Sequence, residues 1–111
     1  MKMNKNLPNC PVETTLMLMG DKWKVLIVRD LLIGTKRFGE LKKSLTGISQ
    51  KVLTQHLRAM ENNGLISRKV YAEVPPKVEY SLTELGQSLK QVHDAMLVWG
   101  TAYKSRNGQN K

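Results

Sequence analysis

The chain has 111 residues, 41% of them hydrophobic and 24% charged, with 18 lysines and arginines against nine aspartates and glutamates for a formal net charge of +9. That length makes one domain, residues 1–111, with one modest core that a symmetric partner would usefully enlarge. A single cysteine excludes an internal disulfide and makes a reducing cytoplasm the default, while the polar residues 1–9 lack an export signal and the longest apolar stretch, residues 25–33, is broken by Arg29 and Asp30 and too short to cross a bilayer.

Pro11 suits the first turn of a helix, and Val12, Leu16 and Met19 follow at spacings of four and three, which predicts a short amphipathic helix over 11–20. Asp21 is the N-cap of a second helix. Its apolar residues Trp23, Val25, Leu26, Ile27, Val28, Leu31, Leu32 and Ile33 cover most of its circumference, as in a helix buried on several sides, and Gly34 stops it. Phe38, Leu41 and Leu45 mark the buried face of a third helix with no strong N-cap, and Lys42 and Lys43 lie beside that face on solvated positions. After a Thr46-Gly47 turn, Ser49 caps a fourth helix. Leu53, Leu57 and Met60 face the core, and Asn62-Asn63-Gly64 supplies a left-handed stop.

Residues 66–74 and 77–82 read as the strands of a hairpin tipped by Pro75-Pro76, which remove ladder donors and belong at a tip or an edge. Thr83 caps a last helix over 83–104, along which Leu85, Leu89, Val92, Met96, Trp99 and Tyr103 form a narrow apolar seam. Residues 105–111 are a polar, fraying tail. There is no internal repeat, low-complexity segment or interdomain linker. The fold class is α+β, mainly α: a winged helix-turn-helix (helix-turn-helix 38–63, wing 65–82) with an added N-terminal helix and a long C-terminal dimerisation helix.

Charge placement points to nucleic acid. Residues 34–77 hold nine basic side chains against Glu40, Glu61 and Glu73, leaving +6 of the net +9 in that segment. Neutralising phosphates releases counterions, although a merely soluble basic protein would also carry such an excess. With its leucines inward, the fourth helix turns Gln50, Lys51, Thr54, Gln55 and Arg58 outward, beginning at Ser49. Gln pairs with adenine, Lys and Arg with guanine, and Thr meets the thymine methyl in the major groove. The bland alternative is an ordinary solvated face. Arg68, Lys69 and Lys77 on the hairpin, and Lys36, Arg37, Lys42 and Lys43 before the fourth helix, suit phosphates or the minor groove. RNA is less favoured, because the fourth helix lacks aromatic platforms for unpaired bases.

The apolar seam of the last helix either packs on its own domain or pairs subunits. A homodimer in which this helix and the first meet their symmetry mates is favoured, with Leu16, Leu89, Val92, Met96, Trp99 and Tyr103 at the contact and Trp99 its anchor. Such a dimer requires inverted half-sites about one helical turn apart, or a multiple of it. Cys10 lies before a helix N-terminus that would stabilise a thiolate, with Glu13 opposing; it is either a sensor of electrophiles or oxidants or a small buried apolar residue. His56 and His93 read as surface or packing residues. No metal-ligand spacing, phosphate-cradling glycine loop, nucleophile elbow or tuned carboxylate pair appears, so no metal, cofactor or enzymatic activity is expected.

The strings Cys10-Pro11, Gly20-Asp21-Lys22-Trp23, Arg37-Phe38-Gly39-Glu40-Leu41, Gly47-Ile48-Ser49-Gln50-Lys51-Val52-Leu53-Thr54, Gly64-Leu65-Ile66 and Val74-Pro75-Pro76-Lys77-Val78-Glu79-Tyr80-Ser81-Leu82-Thr83 resemble the HxlR-type transcriptional regulators, related to the MarR group, over residues 10–103. The resemblance implies a cytoplasmic bacterial dimer that sets the helix from Ser49 in the major groove and the hairpin near Pro75 as a wing. Some members repress detoxification genes and sense quinones, aldehydes or oxidants through a cysteine at the position Cys10 matches. Sensing members often carry further cysteines towards the C-terminus, and this chain has none, so a switch at Cys10 would need an adduct, a mixed disulfide or pairing with the partner's copy. The expected function is sequence-specific double-stranded DNA binding by a repressor with Cys10 as sensor. The alternatives are a regulator without thiol sensing and a winged-helix protein-interaction module.

Overall fold

The computed structural model describes residues 6–108 and opens with α1 (Pro11–Met19), in which Pro11 fills the first turn and Met19 reaches the core. In α2 (Lys22–Ile33), the Asp21 carboxylate caps the start by accepting the Trp23 N–H at 2.7 Å. This helix is the centre of the domain: Ile27, Val28 and Leu31 are buried, and it packs against its helical neighbours and the wing. Its buried Asp30 accepts from Arg29 Nε at 3.0 Å, and the same guanidinium reaches Ser44 Oγ at 3.4 Å, which ties the helix to the next one. Gly34 ends α2 in extended backbone (φ 165°, ψ −179°), because the chain leaves the helix to pair as a strand.

That strand, β1 (Lys36–Arg37), was not foreseen from the residue pattern. The short α3 (Phe38–Ser44) follows at once. It has no capping hydroxyl or carboxamide, but the Glu40 carboxylate reaches back to accept the Arg37 N–H at 2.8 Å, half of a capping box. Gly47, at φ 93°, makes the turn into α4 (Gln50–Asn62), whose first turn is capped by Ser49 Oγ accepting the Val52 N–H at 3.1 Å. Leu53, Leu57 and Met60 are buried as their spacing requires. The helix closes in a Schellman motif: Gly64 takes φ 78°, Leu65 N–H donates to Met60 C=O at 2.9 Å, and Gly64 N–H to Glu61 C=O at 3.0 Å.

The wing is β2 (Ile66–Tyr71) and β3 (Lys77–Leu82), and the antiparallel sheet has the order β1-β3-β2. The first wing strand stops at Tyr71 and not at residue 74, since the chain needs the intervening residues to turn through Pro75 and Pro76, which offer no ladder donor. The expected continuous helix over 83–104 is divided into α5 (Glu84–Gln87) and α6 (Lys90–Arg106). Thr83 does cap the start, accepting the Gly86 N–H at 3.0 Å, and Gly86 itself is pressed against the Leu65 carbonyl. The break follows from that anchoring. The Ser88 N–H contacts both the Glu84 and Leu85 carbonyls, its hydroxyl donates to Leu85, and the last turn of α5 tightens before α6 begins. One core joins all layers, with Met19, Ile27, Val28, Leu31, Leu41, Leu45, Ile48, Leu53, Leu57, Met60, Leu65, Ile66 and Tyr80 buried together. The ends of the expected N-terminal segment and C-terminal tail, residues 1–5 and 109–111, lie outside the described residues. Among the described residues no helix is long and apolar enough to cross a membrane.

Candidate nucleic-acid interface

Once Leu53, Leu57 and Met60 are committed to the core, helical geometry leaves the opposite side of α4 to water. Ser49, Gln50, Lys51, Gln55 and Arg58 are exposed there and Thr54 is half-buried. His56 points sideways and is half-buried, with Nε2 3.5 Å from Asp21 Oδ1, so it braces α4 against the N-cap of α2. That contact joins residues far apart in the chain and left no signal in the sequence. Lys42 and Lys43 are exposed in the last turn of α3, next to the turn that leads into α4.

The wing meets this surface through Arg68. A groove of about 380 Å³ is lined by Gln50, Thr54 and Arg58 of α4, Arg68 of β2, and Phe38, Leu57, Glu61 and Tyr80 around them. It brings the helix and the hairpin onto one continuous donor-rich face. Pairing register explains the choice of Arg68. It stands opposite Tyr80, whose ring is buried, and so shares the sheet face that looks towards the helices. Lys36, half-buried on β1, also pairs with Tyr80.

Lys69, Lys77 and Arg37 belong to the other sheet face. Lys69 and Arg37 flank Glu79 across the sheet, and Lys77 stands opposite Tyr71. The Tyr71 hydroxyl donates to Glu79 Oε1 at 2.9 Å, and Lys77 Nζ lies 3.5 Å from Glu79 Oε2. The Tyr71 hydroxyl chiefly, helped by Lys77 and Arg37, holds the Glu79 carboxyl below its ordinary value. The predicted wing cations thus divide between two faces, and the division is visible only once the register is known.

A model of the HxlR-like helix-turn-helix family matches residues 18–108. The chain belongs to that family. Within it, the HTH-type transcriptional regulator YdeP of Bacillus subtilis (strain 168) is 52% identical over 97 residues, covering 87% of this chain and 76% of that protein. The crystal structure of the HTH-type transcriptional regulator YtcD superposes with a TM-score of 0.83 at 47% identity, over 86% of this chain and 98% of that one. The redox regulator HypR in its reduced form gives a TM-score of 0.83 at 43% identity, over 86% and 94%. The HxlR-like family is one of DNA-binding transcriptional regulators and not of enzymes, and this chain is an HTH-type transcriptional regulator.

The remaining predicted residues of this HxlR-like chain sit away from the α4 face. Cys10 is exposed at the N-cap of α1, and its carbonyl accepts the Thr14 N–H at 3.1 Å. Leu89 and Val92 are half-buried and pack against the chain's own core, whereas Met96, Trp99 and Tyr103 are exposed on α6. Trp99 and Tyr103 stack with centroids 5.4 Å apart. Leu16 of α1 and Val92 and Met96 of α6 line one apolar groove of about 440 Å³, together with Met19, Val25 and Leu26. Leu85 lies on α5 and is exposed. Among the described residues no three His, Cys, Asp or Glu side chains gather as a metal site would require.

Proposed function

We propose that the chain is a cytoplasmic, homodimeric repressor that binds double-stranded DNA with inverted half-sites, reading base edges with α4 and gripping phosphates with the wing. The observation that carries this reading is the partition of α4: its leucines are buried while Gln50, Lys51, Gln55 and Arg58 are exposed beside Arg68. Long donors of that kind, on the second helix of a helix-turn-helix, match the bidentate demands of adenine and guanine. Lys36, Arg37, Lys69 and Lys77 supply phosphate contacts, which set register and affinity more than sequence.

Dimerisation is supported by apolar surface left in water. Trp99 is 69% exposed and Leu16 59%, with Met96 and Tyr103 exposed as well, and the adjoining groove between α1, α2 and α6 is apolar. A partner's α1 and α6 would cover both. Thiol sensing is supported by the exposure of Cys10 and by its place on α1, which shares that groove. A relative described as a redox regulator, HypR, adds weight. A bulky adduct on Cys10, or its pairing with the partner's copy, would reset the angle between subunits and move the two reading helices out of register.

Footprinting on the DNA around the protein's own gene, with and without quinone or diamide, tests both layers. Wild type is expected to protect two inverted half-sites and to release them on treatment, and Cys10→Ser to protect them throughout. Release by Cys10→Ser equal to wild type removes the sensor; absence of any protected site, together with binding that ignores salt, favours a protein-interaction module.

A further inference from the structure

The outer face of the wing carries a cluster that the core does not need. Register places Lys69 opposite Glu79 and Tyr71 opposite Lys77, so the four side chains share a face. Lys69 Nζ lies 4.8 Å and Lys77 Nζ 4.6 Å from the centroid of the Tyr71 ring, within the range where a ring quadrupole attracts a cation. The ring is itself held in place, because its hydroxyl donates to Glu79 at 2.9 Å and Lys77 closes the loop at 3.5 Å from the same carboxylate. Two ammonium groups that repel each other are therefore gathered on one ring, with one carboxylate to offset them. A lysine ordered in advance loses less rotamer freedom when it meets an anion than a free one does.

We propose that Tyr71 is a positioning residue for DNA: it assembles Lys69 and Lys77 into a two-cation clamp for the duplex phosphate backbone, and Glu79 locks the ring that holds them. The proposal rests on the DNA-binding reading above and deepens it. Because phosphates carry no sequence, the clamp raises affinity for every duplex by a similar factor and leaves base preference to α4.

Salt titrations of the full chain on an operator duplex and a scrambled duplex provide the test. Lys69→Gln with Lys77→Gln is expected to reduce the slope of log affinity against log salt by about 0.9 for each lysine. Tyr71→Leu should reproduce at least half of that decrease, on both duplexes alike, and add nothing further to the lysine pair. Tyr71→Phe, which keeps the ring face but loses the hydroxyl that Glu79 holds, should fall between wild type and Tyr71→Leu, and thermal melts should show all variants folded. A wild-type slope in Tyr71→Leu, a wild-type slope in the lysine pair, or losses that simply add would overturn the clamp. If Arg58→Ala still abolishes operator preference in that case, the DNA-binding reading survives; a wild-type chain with no salt-dependent duplex binding overturns both.

Discussion

Gly86 sits where no side chain fits: a Cβ there would lie 2.0 Å from the Leu65 carbonyl oxygen and 2.9 Å from Leu82. Gly86→Ala must push α5 off the end of the wing, and a loss of about 1–3 kcal/mol is expected in denaturant unfolding; an unchanged midpoint would contradict the close approach. Glu79 makes a prediction with a sign. Its folded value lies below the ordinary 4.5, so its contacts with Tyr71 and Lys77 are in full force above that pH and are lost as pH falls through the lowered value. Tyr71 resonances should therefore stay constant down to about pH 4.5 and move below it, whereas a transition centred near neutrality would point to another group. The caps Asp21, Ser49 and Thr83 were legible in the sequence because a capping side chain and the backbone N–H that donates to it lie two or three residues apart. Tyr71 with Glu79, and His56 with Asp21, were not legible, because a strand register and a helix crossing bring them together.

Among the elements, α4 shows most clearly how local chemistry sets up function. Ser49 holds the turn that presents Gln50 and Lys51. Ser49→Ala is expected to cost about 1 kcal/mol of stability and to weaken operator binding as that turn frays; an operator affinity equal to wild type would mean the first turn makes no contact. Helices α1 to α4, the long C-terminal helix and the hairpin were readable from apolar spacing and from glycine and proline positions. β1 was not, since two residues are too few for any period to show, and its partner is supplied by β3 more than forty positions later. The division of α5 from α6 was hidden as well. Leu85, Leu89 and Val92 keep helical spacing through the break, whose cause is the docking of Gly86 on the wing.

For the molecule as a whole, what stands out is the apolar surface that the chain leaves uncovered. Met96, Leu97, Val98, Trp99 and Tyr103 are all exposed on α6, a helix that is apolar nearly all round in this stretch. Trp99→Glu is expected to give a monomer by analytical ultracentrifugation and to lower affinity for a two-site operator by about 100-fold, since the two reading helices are no longer linked; a dimer of unchanged stability would move the subunit contact elsewhere. The sequence seam included both half-buried and exposed residues, because periodicity marks an apolar face without saying what covers it. Leu89 and Val92 are half-buried against the chain's own core, and Val92 also lines the open groove beside α1.

Whether α4 reads DNA is decided most directly by fluorescence anisotropy with Gln55→Ala and Arg58→Ala, each titrated on the operator and on a random duplex. Operator binding should fall by about 1–3 kcal/mol for each lost base contact, with a much smaller loss on random DNA. Equal losses on the two duplexes, or none on either, would contradict the placement of this helix in the major groove.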